Sequence, residues 1–146
     1  MSVDVVTEVV INRSRELVAA FAGDPTNTPA WYDKIRGVDW RTAPPLRVGS
    51  QMDFVVHSHG RRLAYTYEVV DYAPGERLVM RTSAGPFPIE MTCTWADTPE
   101  GGTRMTLRNR GEPSGFGKVA GRVLEAAIRR ANRADLARLK TLLETR

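Results

Sequence analysis

Two tyrosines and one asparagine are the polar side chains of this sequence that are best placed for chemistry in apolar surroundings. In the segment 63–69, the odd-numbered residues are apolar or aromatic, whereas Glu68 has the opposite parity. Because side chains alternate between the two faces of a strand, this pattern predicts that Tyr65 and Tyr67 point inward. Asn109 shares the parity of the apolar residues that precede it in a later strand. These three residues are the candidate catalytic groups.

A buried phenol or amide needs a hydrogen-bond partner. For Tyr65 and Tyr67, the partner is either a backbone carbonyl or trapped water, or it is the carbonyl or hydroxyl of a bound ligand. Asn109 is either a ligand contact or the polar end of a strand beside the turn at Gly111. No motif joins a nucleophile, a base and an orienting group, so a reaction here would rest on positioning a ligand and polarising a carbonyl.

Other residue types with chemical potential have simpler interpretations. Cys93 is the only cysteine and has inward parity, which favours a buried small hydrophobic residue over a nucleophile. His57 and His59 lie beside a hairpin turn, and no carboxylate spacing completes a metal site with them. The glycines of segment 115–121 open a helix but lack the spacing of a dinucleotide-binding loop. We therefore expect no metal and no cofactor.

The elements that must position these side chains are mostly strands. Short turn signals separate them, which favours sequential antiparallel hairpins. A short helix is expected from Asn12 or Ser14 through Phe21, followed by another helical turn at 30–34. An unbroken segment at 116–144 predicts one long helix. The predicted strands are 3–11, 36–41, 51–58, 62–72, 77–83, 88–96 and 103–110.

The long helix would run roughly 40 Å, which exceeds what support of a small sheet requires and suggests a cavity between helix and sheet. Small residues at its start, Gly117, Ala120 and Gly121, would leave room for a ligand. Its predicted apolar stripe comprises Phe116, Ala120, Val123, Leu124, Ala127, Ile128, Ala131, Leu139 and Leu142. Strand parity adds Phe54, Val56, Met80, Met91 and Cys93 to the predicted cavity lining. From the helix, Phe116, Ala120 and Leu124 are the candidate ligand contacts. Two polar residues within the helical arc, Asn132 and Asp135, are expected to pair locally rather than to touch ligand.

Composition indicates one domain over 1–146, since 146 residues with 42% hydrophobic content supply one core. No apolar run is long enough for a membrane span and no leader is evident, so a cytoplasmic location is expected. The formal net charge of the whole chain is +4. The sequence from Pro113 onward has eight basic and three acidic residues, a net charge of +5, so the preceding residues carry a net charge of −1. A solvated helix face explains this charge most simply. An anionic partner or a membrane surface is the alternative, and nucleic acid is not expected because no exposed aromatic residues are interleaved.

The order of elements and several local stretches resemble one known family. With compatible spacing along nearly the whole chain, they are similar to the START-like superfamily of helix-grip proteins, also called SRPBCC, and within it to the polyketide cyclase/dehydrase-like branch. The matching stretches are 9–14 (VVINRS), 21–24, 29–32 (PAWY), 47–50 (RVGS), 67–74 (YEVVDYAP), 101–104 (GGTR) and 132–144.

This resemblance implies an α+β fold in which a seven-stranded antiparallel sheet curls around the C-terminal helix and encloses a hydrophobic cavity. In the family, the second short helix borders the cavity mouth, which adds Trp31 to the candidate ligand contacts. Members bind lipids, sterols, quinones, polyketides or plant hormones, and only some are enzymes, so the fold alone does not decide the function. We expect a hydrophobic small-molecule ligand, with polyketide cyclase or dehydrase activity as one alternative. A ribosome- or quinone-associated interaction module is another, and a homodimer is left open.

Overall fold

The computed structural model describes residues 3–58, 60–84, 88–111 and 118–146. It confirms the predicted α+β class. The strands are β1 (Val3–Ile11), β2 (Ile35–Trp40), β3 (Gln51–Ser58), β4 (Arg61–Ala73), β5 (Arg77–Ala84), β6 (Ile89–Asp97) and β7 (Thr103–Gly111). The α-helices are α1 (Arg15–Ala22), α2 (Thr28–Trp31) and α3 (Lys118–Glu144), and a 3-10 turn at Pro25–Asn27 precedes α2.

All strands form one antiparallel sheet in the order β1-β7-β6-β5-β4-β3-β2. Strands β2 to β7 follow one another as hairpins, and the last strand, β7, pairs with the first strand, β1, along its whole length. The register aligns inward side chains across neighbouring strands. Met80 lies opposite Met91, and Met91 lies opposite Asn109. An apolar row with one amide at its end therefore crosses three strands.

Two irregularities in the pairing of β4 with β5 accompany the curl of the sheet. The register shifts between Thr66 and Tyr67 and again between Val69 and Asp71. A bulge increases the local twist and changes which residues face the core. Val69 is fully buried before the second shift, whereas Asp71 beyond it pairs with Arg77 on the surface. Strict alternation along the whole of β4 therefore does not hold.

The short helices between β1 and β2 have clear local signals. Ser14 caps α1, where its hydroxyl accepts a hydrogen bond from the Leu17 N–H at 3.4 Å. Gly23 is the C-cap of this helix, and glycine suits the position because a Cβ there would lie 2.5 Å from the Ala19 carbonyl oxygen. The Asp24 carboxylate accepts from the Thr26 N–H at 3.0 Å and starts the 3-10 turn that leads into α2. The predicted helical turn at 30–34 is thus displaced to Thr28–Trp31.

Helix α3 contacts β1 and α2. Its buried line contains Leu136, Leu139 and Leu143, each at most 1% exposed. The predicted apolar stripe was wrong at Val123, which is 65% exposed. A helix turns about 100° per residue, which places Val123 on the side opposite the buried leucines. The second half of α3 therefore supports the core, and its first half displays a face to solvent.

The outer face of the sheet carries paired charges. Arg108 forms a bidentate contact with Asp4, and Arg81 reaches Glu90 at 2.8 Å. Glu68 is half-buried on this face and accepts from the Gln51 amide at 2.8 Å, as its predicted outward parity requires. Within the described ranges, no helix combines the length and the apolar character that crossing a membrane requires.

Candidate functional site

A cavity lies between the inner face of the sheet and the segment that contains α1 and α2. It has a volume of about 70 Å³ and is partly open to solvent. The sheet supplies one wall, and residues between 22 and 35 supply the roof. The lining residues are Ala22, Pro25, Thr28, Trp31, Tyr32, Ile35, Phe54, Tyr67, Leu78, Met80, Met91, Cys93 and Asn109.

Most of the predicted ligand-contact residues meet at this cavity. The structure brings together Trp31, Phe54, Tyr67, Met80, Met91, Cys93 and Asn109, which come from α2 and five different strands. Phe54 and Tyr67 pack edge to face with ring centroids 5.2 Å apart. Strand parity located the six strand residues because each lies on the inner face of the sheet, and the family resemblance supplied Trp31.

Val56 and Tyr65 do not line the cavity. Residues 61–65 of β4 pair with β3 and have no β5 partner among the described residues. Val56 lies opposite Leu63 in this part of the hairpin, and Tyr65 lies opposite Phe54. Parity assigned the correct face to Tyr65 but could not show where the neighbouring strand ends.

Leu124 is half-buried and is also absent from the lining. Helix α3 approaches the cavity at Asn132, about two turns beyond Leu124, where Asn132 contacts Tyr32. Phe116 lies outside the described residues, and so does the side chain of Ala120. Their predicted places in the site remain predictions.

Tyr32, Ile35 and Leu78 are lining residues that the sequence analysis did not include among the candidates. Leu78 could have been found, because it has the same parity as Met80 in β5. Tyr32 and Ile35 follow α2 in a segment without periodicity, so no pattern in the sequence indicated their direction.

Of the buried donors without a partner among the described residues, two lie on the cavity wall and two, Trp95 Nε1 and Asn132 Nδ2, lie outside its lining. The indole Nε1 of Trp31 and the amide Nδ2 of Asn109 are buried and have no hydrogen-bond partner among the described residues. The Tyr67 hydroxyl likewise has no bond to another described group. Burial raises the pKa of Tyr67 to about 12, so this phenol keeps its proton at neutral pH. The wall therefore offers donors that a ligand oxygen could accept from.

The other ionisable groups of the wall are neutral at physiological pH. Burial raises the pKa of the Cys93 thiol to about 12, and it also raises the pKa of Tyr32. No carboxylate, histidine, lysine or arginine occurs among the lining residues that the structure describes. His57 is exposed on β3, and His59 lies outside the described residues. In the described part of the chain, no His, Cys, Asp and Glu side chains group as a metal site.

Side chains of α3 hold the roof in place. The Tyr32 hydroxyl donates to Asn132 Oδ1 at 3.2 Å, and the Asp33 N–H donates to Asp135 Oδ1 at 3.2 Å. Arg138 donates to the Trp31 carbonyl at 2.8 Å and to Asp135 at 2.9 Å. The predicted local pairing of Asn132 and Asp135 is therefore confirmed.

Asp135 is buried within this set of contacts. Burial raises its pKa above the ordinary value, while the hydrogen bonds from Asp33 and Arg138 oppose that rise. The carboxylate thus serves as an acceptor for the roof segment and does not line the cavity.

Two larger hollows have different linings. One, of about 360 Å³, includes Asp4, Arg81, Glu90 and Arg110, and its charges already form ion pairs. The other, of about 300 Å³, lies beside α1, where the Trp40 indole donates to Thr26 at 3.1 Å. The cavity under α2 is the strongest candidate site because its donors lack partners within the described residues.

This architecture defines a helix-grip protein, a class that the structural comparisons support. The aromatase/cyclase Zhui from Streptomyces sp. R1128 superposes with a TM-score of 0.80 at 15% identity, over 99% of this chain and 94% of that one. A START superfamily protein from Mycobacterium smegmatis gives 0.80 at 16% identity, over 97% of both chains. The di-domain aromatase/cyclase BexL gives 0.79 at 14% identity, over 97% of this chain and 46% of that one. At these identities the similarity shows the fold.

The family model for polyketide cyclase/dehydrase and lipid transport matches residues 2–144. The chain belongs to this family, as the resemblance in its sequence indicated. A search of curated proteins finds no significant match.

Proposed function

We propose that this protein binds a neutral, mostly apolar small molecule that carries at least one carbonyl oxygen. The ligand belongs to the polyketide, lipid or aromatic type and lies in the cavity under α2. The observation that carries the proposal is the combination of an apolar wall with the unpaired donors of Trp31 and Asn109. Family membership supports the same conclusion.

The energetics favour a ligand with acceptor groups. A buried donor without a partner costs roughly 1 to 3 kcal/mol, and a ligand oxygen within reach recovers part of that cost. An anionic ligand would have to leave water for a wall without a compensating cation among the described residues, which is unfavourable. A neutral ketone, ester or quinone meets both requirements.

The volumes restrict how the ligand lies. A small-molecule site commonly needs about 300 to 1,000 Å³. The cavity of about 70 Å³ lies well below that range, so it admits only a small portion of such a molecule. We therefore place the carbonyl-bearing end in the cavity, near Asn109, and the remainder at its opening to solvent.

Polyketide cyclase activity is the second candidate function. The donors of Trp31, Tyr67 and Asn109 could polarise a carbonyl and favour its enol, while the wall holds a flexible chain in a folded conformation. The protonated state of Tyr67 and Cys93 supports polarisation rather than proton abstraction by these groups. A cyclase would convert a linear poly-ketone, whereas a binding protein would return it unchanged.

Mass spectrometry of an organic extract from the purified protein tests the proposal first. We expect a neutral carbonyl compound at a stoichiometric level. Thermal unfolding with α-tetralone and with its hydrocarbon counterpart tetralin tests it independently. A ligand at a hundredfold excess over Kd raises stability by about 2.7 kcal/mol, and tetralone should give the larger increase. Equal increases from both compounds, together with an empty extract, would contradict the proposal.

A further inference from the structure

Helix α3 carries a cluster of arginines between residues 122 and 133 that have no ion-pair partner among the described residues. These residues are Arg122, Arg129, Arg130 and Arg133. Three of them, Arg122, Arg130 and Arg133, are exposed to solvent. Near the end of the same helix, the cations do have partners. Arg138 reaches Asp135 at 2.9 Å, and Lys140 reaches Glu144 at 2.6 Å. The positive charge of α3 is therefore uncompensated in one region.

Apolar groups lie among these arginines. Val123 is the most exposed large hydrophobic residue of the described chain, at 65%. Ala126, Ala127 and Ala134 are also exposed. We call this surface the basic helix face and define it by Arg122, Val123, Ala126, Arg129, Arg130 and Arg133. It combines positive charge with an apolar strip along one helix.

We propose that the basic helix face docks on the surface of an anionic lipid membrane. A basic residue close to such a surface contributes roughly 1 kcal/mol of attraction, and short apolar side chains can enter the boundary between headgroups and acyl chains. Since Val123 is the only large apolar side chain of this face among the described residues, the attachment is mainly electrostatic and reversible.

Lipid fits this surface better than nucleic acid does. Single-stranded nucleic acid is held by aromatic side chains that stack on its bases. The segment 118–144 has no aromatic residue, so the basic helix face has nothing on which a base could stack. A planar lipid surface requires only charge and a small apolar contact along the length of the helix.

The basic helix face and the contact with the roof lie on different sides of α3. Asn132, whose Oδ1 accepts the hydrogen bond from Tyr32, a lining residue, points away from Val123 and Arg130, since a helix turns about 100° per residue. Docking through this face therefore does not require a ligand in the cavity.

Vesicle flotation of the full chain tests the docking without any ligand. Vesicles of phosphatidylcholine alone are compared with vesicles that also contain phosphatidylglycerol. We expect binding to the anionic vesicles only, and a decrease of that binding with salt, since the screening length falls from about 10 Å at 0.1 M to about 3 Å at 1 M. Binding that is equal on both vesicle types would overturn the proposal.

A matched pair of variants separates location from net charge. The triple variant Arg122→Gln, Arg130→Gln, Arg133→Gln should weaken vesicle binding about 100-fold, the effect of three charges at about 1 kcal/mol each. The control Arg36→Gln, Arg61→Gln, Arg104→Gln loses the same charge at exposed positions without ion pairs in the described residues, and it should bind nearly as wild type.

The outcomes of this comparison are decisive. Equal losses in the two triple variants would show a general charge effect and overturn the proposal. Salt-sensitive binding to RNA or to an acidic protein, with no binding to anionic vesicles, would also overturn it. Retained tetralone binding in the vesicle-defective variant would show that the cavity proposal stands independently of docking.

Discussion

Replacing Asn109 with leucine should make the empty protein more stable and the ligand complex weaker. Leucine is close to asparagine in size but lacks the amide whose Nδ2 is buried without a partner among the described residues. A donor that has no hydrogen-bond partner in the empty protein and gains one from the ligand is typical of a binding site. Asn109→Leu therefore tests the function of the cavity rather than its packing.

The magnitude follows from the cost of an unpaired donor. That cost is roughly 1 to 3 kcal/mol, and because Asn109 is only half-buried we take the lower end. A gain of about 1 kcal/mol raises Tm by about 3 °C in a chain of this size. One hydrogen bond contributes a net 0.5 to 1.5 kcal/mol, so tetralone should bind about 3- to 10-fold more weakly, whereas tetralin should be unaffected.

Calorimetry of the empty protein and titration with both compounds give the two quantities. Asn132→Leu is the matched control, because Asn132 also has a buried Nδ2 without a partner in the described chain, but its Oδ1 accepts from Tyr32. This variant leaves the Tyr32 hydroxyl unpaired and should lower stability by about 1 to 3 kcal/mol. If Asn109→Leu lowers Tm and tetralone still binds with unchanged affinity, the reasoning about the cavity is refuted.

Three further predictions concern the phenol, the thiol and a turn. Tyr67→Phe should weaken tetralone binding several-fold. In the wild type, the contribution of the Tyr67 hydroxyl to tetralone affinity should be constant from neutral pH to about pH 10, since the pKa of Tyr67 is about 12. An equally strong loss of tetralin affinity in Tyr67→Phe would argue against a hydrogen bond. The pKa of Cys93 rises from 9.0 to about 12 on folding, so the contribution of the protonated thiol to stability is complete below pH 9 and is lost as the pH rises toward 12. Cys93→Ala should therefore make the decline of the unfolding free energy at alkaline pH shallower. An unchanged slope would contradict this prediction. Gly102→Ala should cost about 1 to 3 kcal/mol in denaturant unfolding, because a Cβ there would lie 2.8 Å from the Ile11 carbonyl oxygen, whereas Gly37→Ala, whose nearest atom is 4.0 Å away, should be tolerated.

The fold was predictable because each element has a local signal. Strand alternation, the Ser14 cap and the unbroken segment after residue 117 specify the elements, and short turns leave hairpins as the simplest connection. The inner positions of Tyr67 and Asn109 follow from the same alternation, because side chains in a strand have a period of two.

What the sequence could not supply was long-range geometry. Tyr65 has the correct face but lies where β4 has no β5 partner among the described residues, and the extent of pairing with a neighbour is not encoded in parity. Leu124 lies on the helix about two turns before the point where Asn132 reaches the roof. The position of Tyr32 depends on how α2 packs against α3, which no local pattern in the sequence indicates. The ends of strands and the crossing point of the helix therefore decided which candidates form the site.

The most direct test of the central claim is the NMR signal of each tryptophan indole N–H during titration with α-tetralone. The chain has three tryptophans, which serve as internal controls. Trp31 lines the cavity with an unpaired Nε1, Trp40 donates to Thr26, and Trp95 is buried outside the lining. We predict a saturable shift of the Trp31 signal, with the other two nearly unchanged. A Trp31 signal that stays fixed while tetralone binds would contradict a ligand site under α2.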